Sequence, residues 1–188
     1  AGPSEIVLTT TSRLAGAVHS ITWNGKEFID SLDHGRQLQS ACSFDCGKKP
    51  FWAECYNPTE AGSRKDHTGP TSTSRLLSLK ATATNLTTKS QMAFWLKPDE
   101  KSSGRPALNT AALSDHTLTK SISLNYKNLA HAIEYDATFA LPEGERHSLA
   151  QFEAVTGYMP KEFSSFHAFD PKTHELEDLS DGPGEQAK

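Results

Sequence analysis

The stretch that decides the fold is Ala132-Ile133-Glu134-Tyr135-Asp136-Ala137-Thr138-Phe139-Ala140-Leu141. Ile133, Tyr135, Ala137 and Phe139 fall on one side, and Glu134, Asp136 and Thr138 on the other. A two-residue period of this kind belongs to a β-sheet with one buried face, because successive side chains of a strand point to opposite faces. Similar patterns extend outward along the chain. Strands are expected at 6–10, 18–23, 26–29, 75–84, 86–96, 118–126, 149–155 and 163–169. Asn24-Gly25 lies between two of them and is a strong hairpin signal, since both central residues of a type I′ turn need positive φ. A second hairpin is expected around Asn85. Helical periodicity is poor; only 105–112 offers a turn or two, and it reads better as loop. Long irregular segments are expected at 42–73, 97–116 and 170–188.

The fold class follows: all-β, an antiparallel two-sheet sandwich with little helix and long functional loops. The 188 residues fit one domain with room for a sizeable core. The expected domain spans residues 1–169. Residues 170–188 are an acidic segment with Gly and Pro and no final apolar strand. This is either a solvated tail or the point where a C-terminal continuation of the same polypeptide begins.

Composition excludes several classes. No stretch approaches the roughly 20 apolar residues of a spanning helix, so no membrane partner is expected. The formal net charge is -4 and the pI about 6.1, with 19 scattered basic residues. A nucleic-acid partner is therefore not expected, because phosphate binding needs clustered Lys and Arg. No cofactor or metal is expected either: there is no phosphate loop, dinucleotide fingerprint, nucleophile elbow or His-x-x-x-His pair.

Cys42, Cys46 and Cys55 are too irregularly spaced for a zinc ribbon. In a secreted or periplasmic protein they read as one disulfide, Cys46–Cys55, plus a thiol; a zinc site completed by His67 is the alternative. The start Ala1-Gly2-Pro3-Ser4 has no apolar signal core, which reads as a signal peptide already removed.

Candidate chemistry concentrates between residues 33 and 64. His34 and Arg36 flank Gly35: a proton carrier near neutrality, a planar fork for hydroxyls or a carboxylate, and a glycine that permits close backbone approach. The bland alternative is a strand start whose arginine pairs with a surface carboxylate. Glu54, Tyr56, Asn57 and Glu60 form a second cluster, stiffened by Pro58, with Arg64 placed to neutralise Glu60. Here the alternative is a turn held by Asn57 and a salt bridge. Trp52, in the same loop as Tyr56, is the best stacking platform for a sugar ring, whereas Trp23 and Trp95 lie in strands and are assigned to the core. His131 and His147 are lone histidines near strand ends, more often structural. Glu153 sits in an apolar strand; facing inward it would suit acid/base work, facing outward it is a solvated position.

The hairpin Ile21-Thr22-Trp23-Asn24-Gly25-Lys26-Glu27-Phe28-Ile29, followed by Asp33-His34-Gly35-Arg36-Gln37-Leu38-Gln39, resembles the start of a galactose-mutarotase-like supersandwich protein. The Asn57-Pro58-Thr59-Glu60-Ala61-Gly62 loop and residues 145–160 are similar to secreted relatives of that superfamily. The resemblance implies two large antiparallel sheets and a carbohydrate groove on a concave face. It does not place the epimerases' acid histidine and late glutamate base on His34, His131 or Glu185. The fold serves epimerases, lyases, accessory domains and plain binders alike, so it selects no reaction.

Together these features imply a carbohydrate ligand. The expected protein is a carbohydrate-active enzyme using general acid/base chemistry, with His34, Glu60 and Glu153 as catalytic groups and Arg36, Asn57, Tyr56, Trp52 and Arg64 binding substrate. A non-catalytic carbohydrate-binding β-sandwich module is the alternative.

Overall fold

The computed structural model of the chain describes residues 5–32, 35–36, 38–47 and 50–180. The chain forms an all-β, β-sandwich-like fold, and every strand pairing among the described residues is antiparallel. The first three strands, β1 (Ile6–Thr10), β2 (Val18–Trp23) and β3 (Lys26–Glu27), make a small sheet. Its β2–β3 turn has φ of 50° at Asn24 and 80° at Gly25, as the type I′ reading requires.

The large sheet has seven strands. They are β4 (Gln39–Phe44), β5 (Pro58–Thr59), β6 (Arg75–Ala81), β7 (Asn85–Phe94), β10 (Leu113–Leu124), β11 (Ile133–Ala140) and β12 (Ala150–Thr156). Between β7 and β10 lies a short ribbon of β8 (Lys101–Ser102) and β9 (Arg105–Pro106). The large sheet runs β11-β10-β7-β5-β4-β12, with β6 paired to β7 beside β5. It curls until its two ends nearly meet. The Phe139 ring of β11 lies 5.2 Å from Phe152 of β12. Between them, Ser40 Oγ on β4 donates to the Ala154 carbonyl at 2.6 Å and receives the Tyr135 hydroxyl at 3.0 Å.

The alternation read from sequence lines this curl. On β10, Ser114, His116, Leu118, Lys120 and Ile122 point inward, and on β7, Leu86, Thr88, Ser90 and Met92 do the same. At one end Leu86 and Ile122 meet Val18, Leu8 and Ile21 of the small sheet, which packs there as the second layer. At the other end Cys42, Phe44, Met92 and Leu118 form an apolar cluster against Tyr56, Ala137 and Phe139. Between the two lies an ion pair that is wholly buried: Lys120 Nζ donates to Glu60 Oε1 and, at 2.9 Å, to the Gly16 carbonyl, while Glu60 Oε2 accepts from the Ser40 amide at 3.1 Å.

Two elements differ from expectation. The irregular segment expected from Cys42 onward begins inside β4, and Gln39–Phe44 is buried throughout. A strand covered on both faces needs no polar-apolar alternation, so Gln39-Ser40-Ala41-Cys42-Ser43-Phe44 carries no period to detect. The expected polar end also contains structure. Strands β13 (Phe166–Asp170) and β14 (Glu175–Ser180) form a two-stranded ribbon whose turn is set by Asp170 Oδ1 accepting from the Lys172 amide at 2.7 Å. This ribbon spans the boundary expected at residue 169; residues 181–188 lie outside the described residues.

Candidate functional site

The outward face of β4 is the floor of a cleft of about 190 Å³ lined by Ser43, Glu54, Asn57, Trp95, Glu153 and Tyr158, with Arg36 among its other walls. Asn57 is held hard. Pro58 keeps it extended (φ −132°, ψ 86°), its Nδ2 donates to the Cys42 carbonyl at 2.8 Å and to Ser43 Oγ at 2.9 Å, and its carbonyl accepts from the Trp95 amide. Glu54 belongs to the 3-10 turn Ala53–Tyr56 and accepts from the Ser102 hydroxyl of β8. Glu153 stands opposite Ala41 in the β12–β4 register and is exposed, so the inward, buried placement is not adopted. Trp95, assigned to the core from its position beside a strand, is half-buried and lines the cleft just past the end of β7. Tyr158 is half-exposed.

Arg36 and Asn57 thus share one cleft. The Arg36 guanidinium, however, turns back into the protein, donating to the carbonyls of Gly35 (3.1 Å) and Thr71 (3.2 Å) and lying 3.6 Å from Asp66. The expected Glu153 lines the cleft with Arg36 and Asn57, whereas Glu60, Arg64, Trp52 and Tyr56 do not. Glu60 faces the interior and Lys120. Arg64 donates to the Lys101 carbonyl at 2.9 Å and lies 3.5 Å from Glu100. Trp52 is tied down by Ser102 at 3.4 Å and covered by the Arg105 guanidinium 4.3 Å from its ring. His34 lies outside the described residues. Of the expected carboxylates, Glu153 lines the cleft and Glu60 does not; Glu54, from the second cluster, lines it beside Glu153.

The Cys46–Cys55 disulfide is not formed, and none of the three cysteines comes close to another. Cys42 faces the core, where its Sγ lies 3.8 Å from the Pro58 carbonyl, and burial pushes its thiol up in pKa. Cys55 is buried beside Glu54 and Arg105, and burial raises it too. The Cys46 thiol lies instead near Tyr56.

Tyr56 ends the 3-10 turn Ala53–Tyr56 and enters a second polar cluster. His116 closes the inward row of β10, while Glu145 and His147 come from the connection between β11 and β12. The Tyr56 hydroxyl donates to Glu145 Oε1 at 2.7 Å. His147 Nε2 lies 3.0 Å from that oxygen, and His116 Nε2 lies 3.5 Å from Glu145 Oε2. Phe44 stacks on both imidazoles, with ring centroids 5.2 Å from His116 and 4.5 Å from His147. Burial lowers the His116 pKa; Glu145 opposes this, His147 reinforces it and Asp115 opposes it again. Burial and the Glu145 carboxylate push the Tyr56 hydroxyl up, so it serves as a donor. Tyr56, Phe94, Asn109, Ser114, His116 and Glu145 line a cleft of about 300 Å³ that opens over the cluster. Beyond the Glu145-Arg146-His147 pair, sequence spacing offers no sign of this grouping, because segments far apart in the chain bring it together. No family model, curated protein or solved structure matches the chain.

Proposed function

We propose that the protein is carbohydrate-active and that the cleft over β4 is its sugar-binding groove. One observation carries the reading: two carboxylates, a rigidly held amide and two aromatic rings line a single concave surface. A sugar needs this mixture. Trp95 and Tyr158 offer apolar faces to pyranose C–H groups. Asn57, whose Nδ2 is already spent on the Cys42 carbonyl and Ser43, presents Oδ1 to a hydroxyl. In the enzymatic form of the reading, Glu153 and Glu54 are the acid/base pair. Glu153 is the more accessible to a proton or a water, and Glu54 is oriented by the Ser102 hydroxyl. A secreted or periplasmic location suits such a substrate.

The test is a panel of glycans and polysaccharides, including uronate polymers, read for binding and for product. The panel compares the wild type with Glu153→Gln, Glu54→Gln and Tyr158→Ala. Turnover that falls at least about 100-fold in either Gln variant, with binding retained, supports the enzyme. Binding that depends on Tyr158, with no product from any substrate, supports the non-catalytic module. Binding and turnover that all three substitutions leave unchanged remove the groove assignment.

A further inference from the structure

We propose that His116, Glu145 and His147 bind one divalent transition-metal ion of the zinc type, with a coordination position open to the cleft above them. Two imidazoles and one carboxylate place their ligand atoms within 4.8 Å of one another. Metal–ligand bonds of roughly 2.0–2.2 Å put the ligand atoms of a tetrahedral ion about 3.4 Å apart. The contacts of 3.0 Å from His147 Nε2 to Glu145 Oε1 and 3.5 Å from His116 Nε2 to Glu145 Oε2 lie near that spacing, each on a different carboxylate oxygen.

The hydrogen bonding points the same way. His116 is 2% exposed. None of the four ring nitrogens of His116 and His147 makes a hydrogen bond of acceptable geometry, although all are buried. Buried imidazole nitrogens are normally satisfied, and leaving one without a partner costs about 1–3 kcal/mol. A shared ion accounts for one nitrogen of each ring, the Nε2 that faces Glu145, whose lone pair is directed at the ion instead. Hydrogen-bond donation to the carboxylate comes from Tyr56, not from the histidines.

The surroundings have the form of an outer shell. His147 Nδ1 has Asp45 Oδ1 as a carboxylate neighbour at 3.8 Å, beyond hydrogen-bond range, while its Nε2 faces Glu145; the negative charge on that side favours the proton on Nδ1, which leaves Nε2 for the metal. Asp45 is itself fixed by the amides of Ser148 (2.9 Å) and Leu149 (3.1 Å) and by the Ser148 hydroxyl. The Phe44 ring, stacked on both imidazoles, limits their rotation. Imidazole with carboxylate suits zinc and its neighbours, whereas calcium and magnesium prefer all-oxygen sites. Three protein ligands with an adjoining cleft match catalytic rather than closed structural sites, so the ligand of the open position is water or an oxygen-bearing small molecule. This site is separate from the β4 cleft, and its occupancy does not depend on the sugar reading.

The full chain, stripped with a chelator, would be titrated with Zn²⁺ by calorimetry and with Co²⁺ by visible absorption. The expected result is one site with tetrahedral-type cobalt bands and no competition from Mg²⁺. His147→Ala and Glu145→Gln should each weaken Zn²⁺ binding at least about 100-fold, and Tyr56→Phe about 10-fold. His167→Ala, on β13, and Glu153→Gln should leave it unchanged. His116→Ala is secondary, since that buried ring also supports the core. Absence of stoichiometric binding by the wild type, or affinity that neither His147→Ala nor Glu145→Gln alters, overturns the proposal. Loss of metal binding only in Cys46→Ser, which places the ion on a thiol, overturns it as well.

Discussion

Replacing Lys120 with methionine tests the reasoning about the interior. The substitution keeps a linear chain of similar size and removes the charge. Glu60 is then left wholly buried, its Oε2 on the Ser40 amide and its Oε1 without the ammonium. Breaking a buried ion pair from one side costs about 3–5 kcal/mol, because the surviving charge is neither solvated nor paired. Glu60→Gln leaves the Lys120 ammonium buried without a counter-charge, with one carboxamide oxygen for which it and the Ser40 amide compete, and should cost a similar amount. The double variant is the decisive one. The side-chain amide it carries at position 60 can still accept from the Ser40 amide, and no charge remains. Its loss should therefore resemble that of either single change, so the coupling equals one single loss, roughly 3–5 kcal/mol. Urea unfolding of the four proteins gives the cycle directly. For a domain of this size each kcal/mol shifts Tm by about 2–4 °C, so each single variant should melt roughly 10 °C lower. Single losses below about 1 kcal/mol, or strict additivity, would refute the claim that this pair is a desolvated structural brace.

Glu27 accepts from the amides of Ile21 (3.1 Å), Phe28 (3.0 Å) and Ile29 (2.8 Å) and from the Ser20 hydroxyl. Burial raises its pKa, but these bonds outweigh that and hold it below the ordinary 4.5. A depressed folded value stabilises above the unfolded value and is lost as pH falls through the folded one. Glu27→Gln should therefore cost more at neutral pH than in acid, as read from denaturant midpoints at both; an equal cost would dismiss the linkage. Gly35→Ala should destabilise by about 2 kcal/mol or more in urea unfolding, because φ is +82° and the new Cβ would lie 2.5 Å from the His67 carbonyl oxygen. In native thiol titration Cys46, half-buried, should react first and Cys42 last; fast labelling of Cys42 would contradict its core position.

The strands that one face buries were legible in the sequence. Residues 133–140 of β11 and the Asn24-Gly25 turn needed only the two-residue period and the demand for positive φ. Strand β4 was not, because a strand with neighbours on both faces has no period. The floor of the cleft was hidden for the same reason. Asn57 was legible as a rigid polar group, since Pro58 restricts it locally. The carboxylates were legible only in part: Glu153 stands out in its apolar strand and lines the cleft, but nothing in composition sends Glu60 inward and leaves Glu153 outward. Of the His116, Glu145 and His147 group only the Glu145-Arg146-His147 pair is local: β10 supplies the first ligand and the connection after the next strand supplies the others.

That same register explains how one thin wall carries two polar sites. On β4, Cys42 and Phe44 face inward towards the histidines, while Ala41 and Ser43 face the outer cleft. On β12, Phe152 turns to Phe44 and Phe139, and its neighbour Glu153 turns to the cleft. The 3-10 turn Ala53–Tyr56 divides in the same way, sending Glu54 to the outer cleft and Tyr56 to Glu145. Alternation makes the side chains independent but leaves the backbone common. Substitutions on one face should therefore affect one site alone, whereas a change that shifts β4 by a single residue would exchange the two faces and destroy both. The rigid fastening of Asn57 to the Cys42 carbonyl and the Ser43 hydroxyl is what resists such a shift, because those bonds form in only one register.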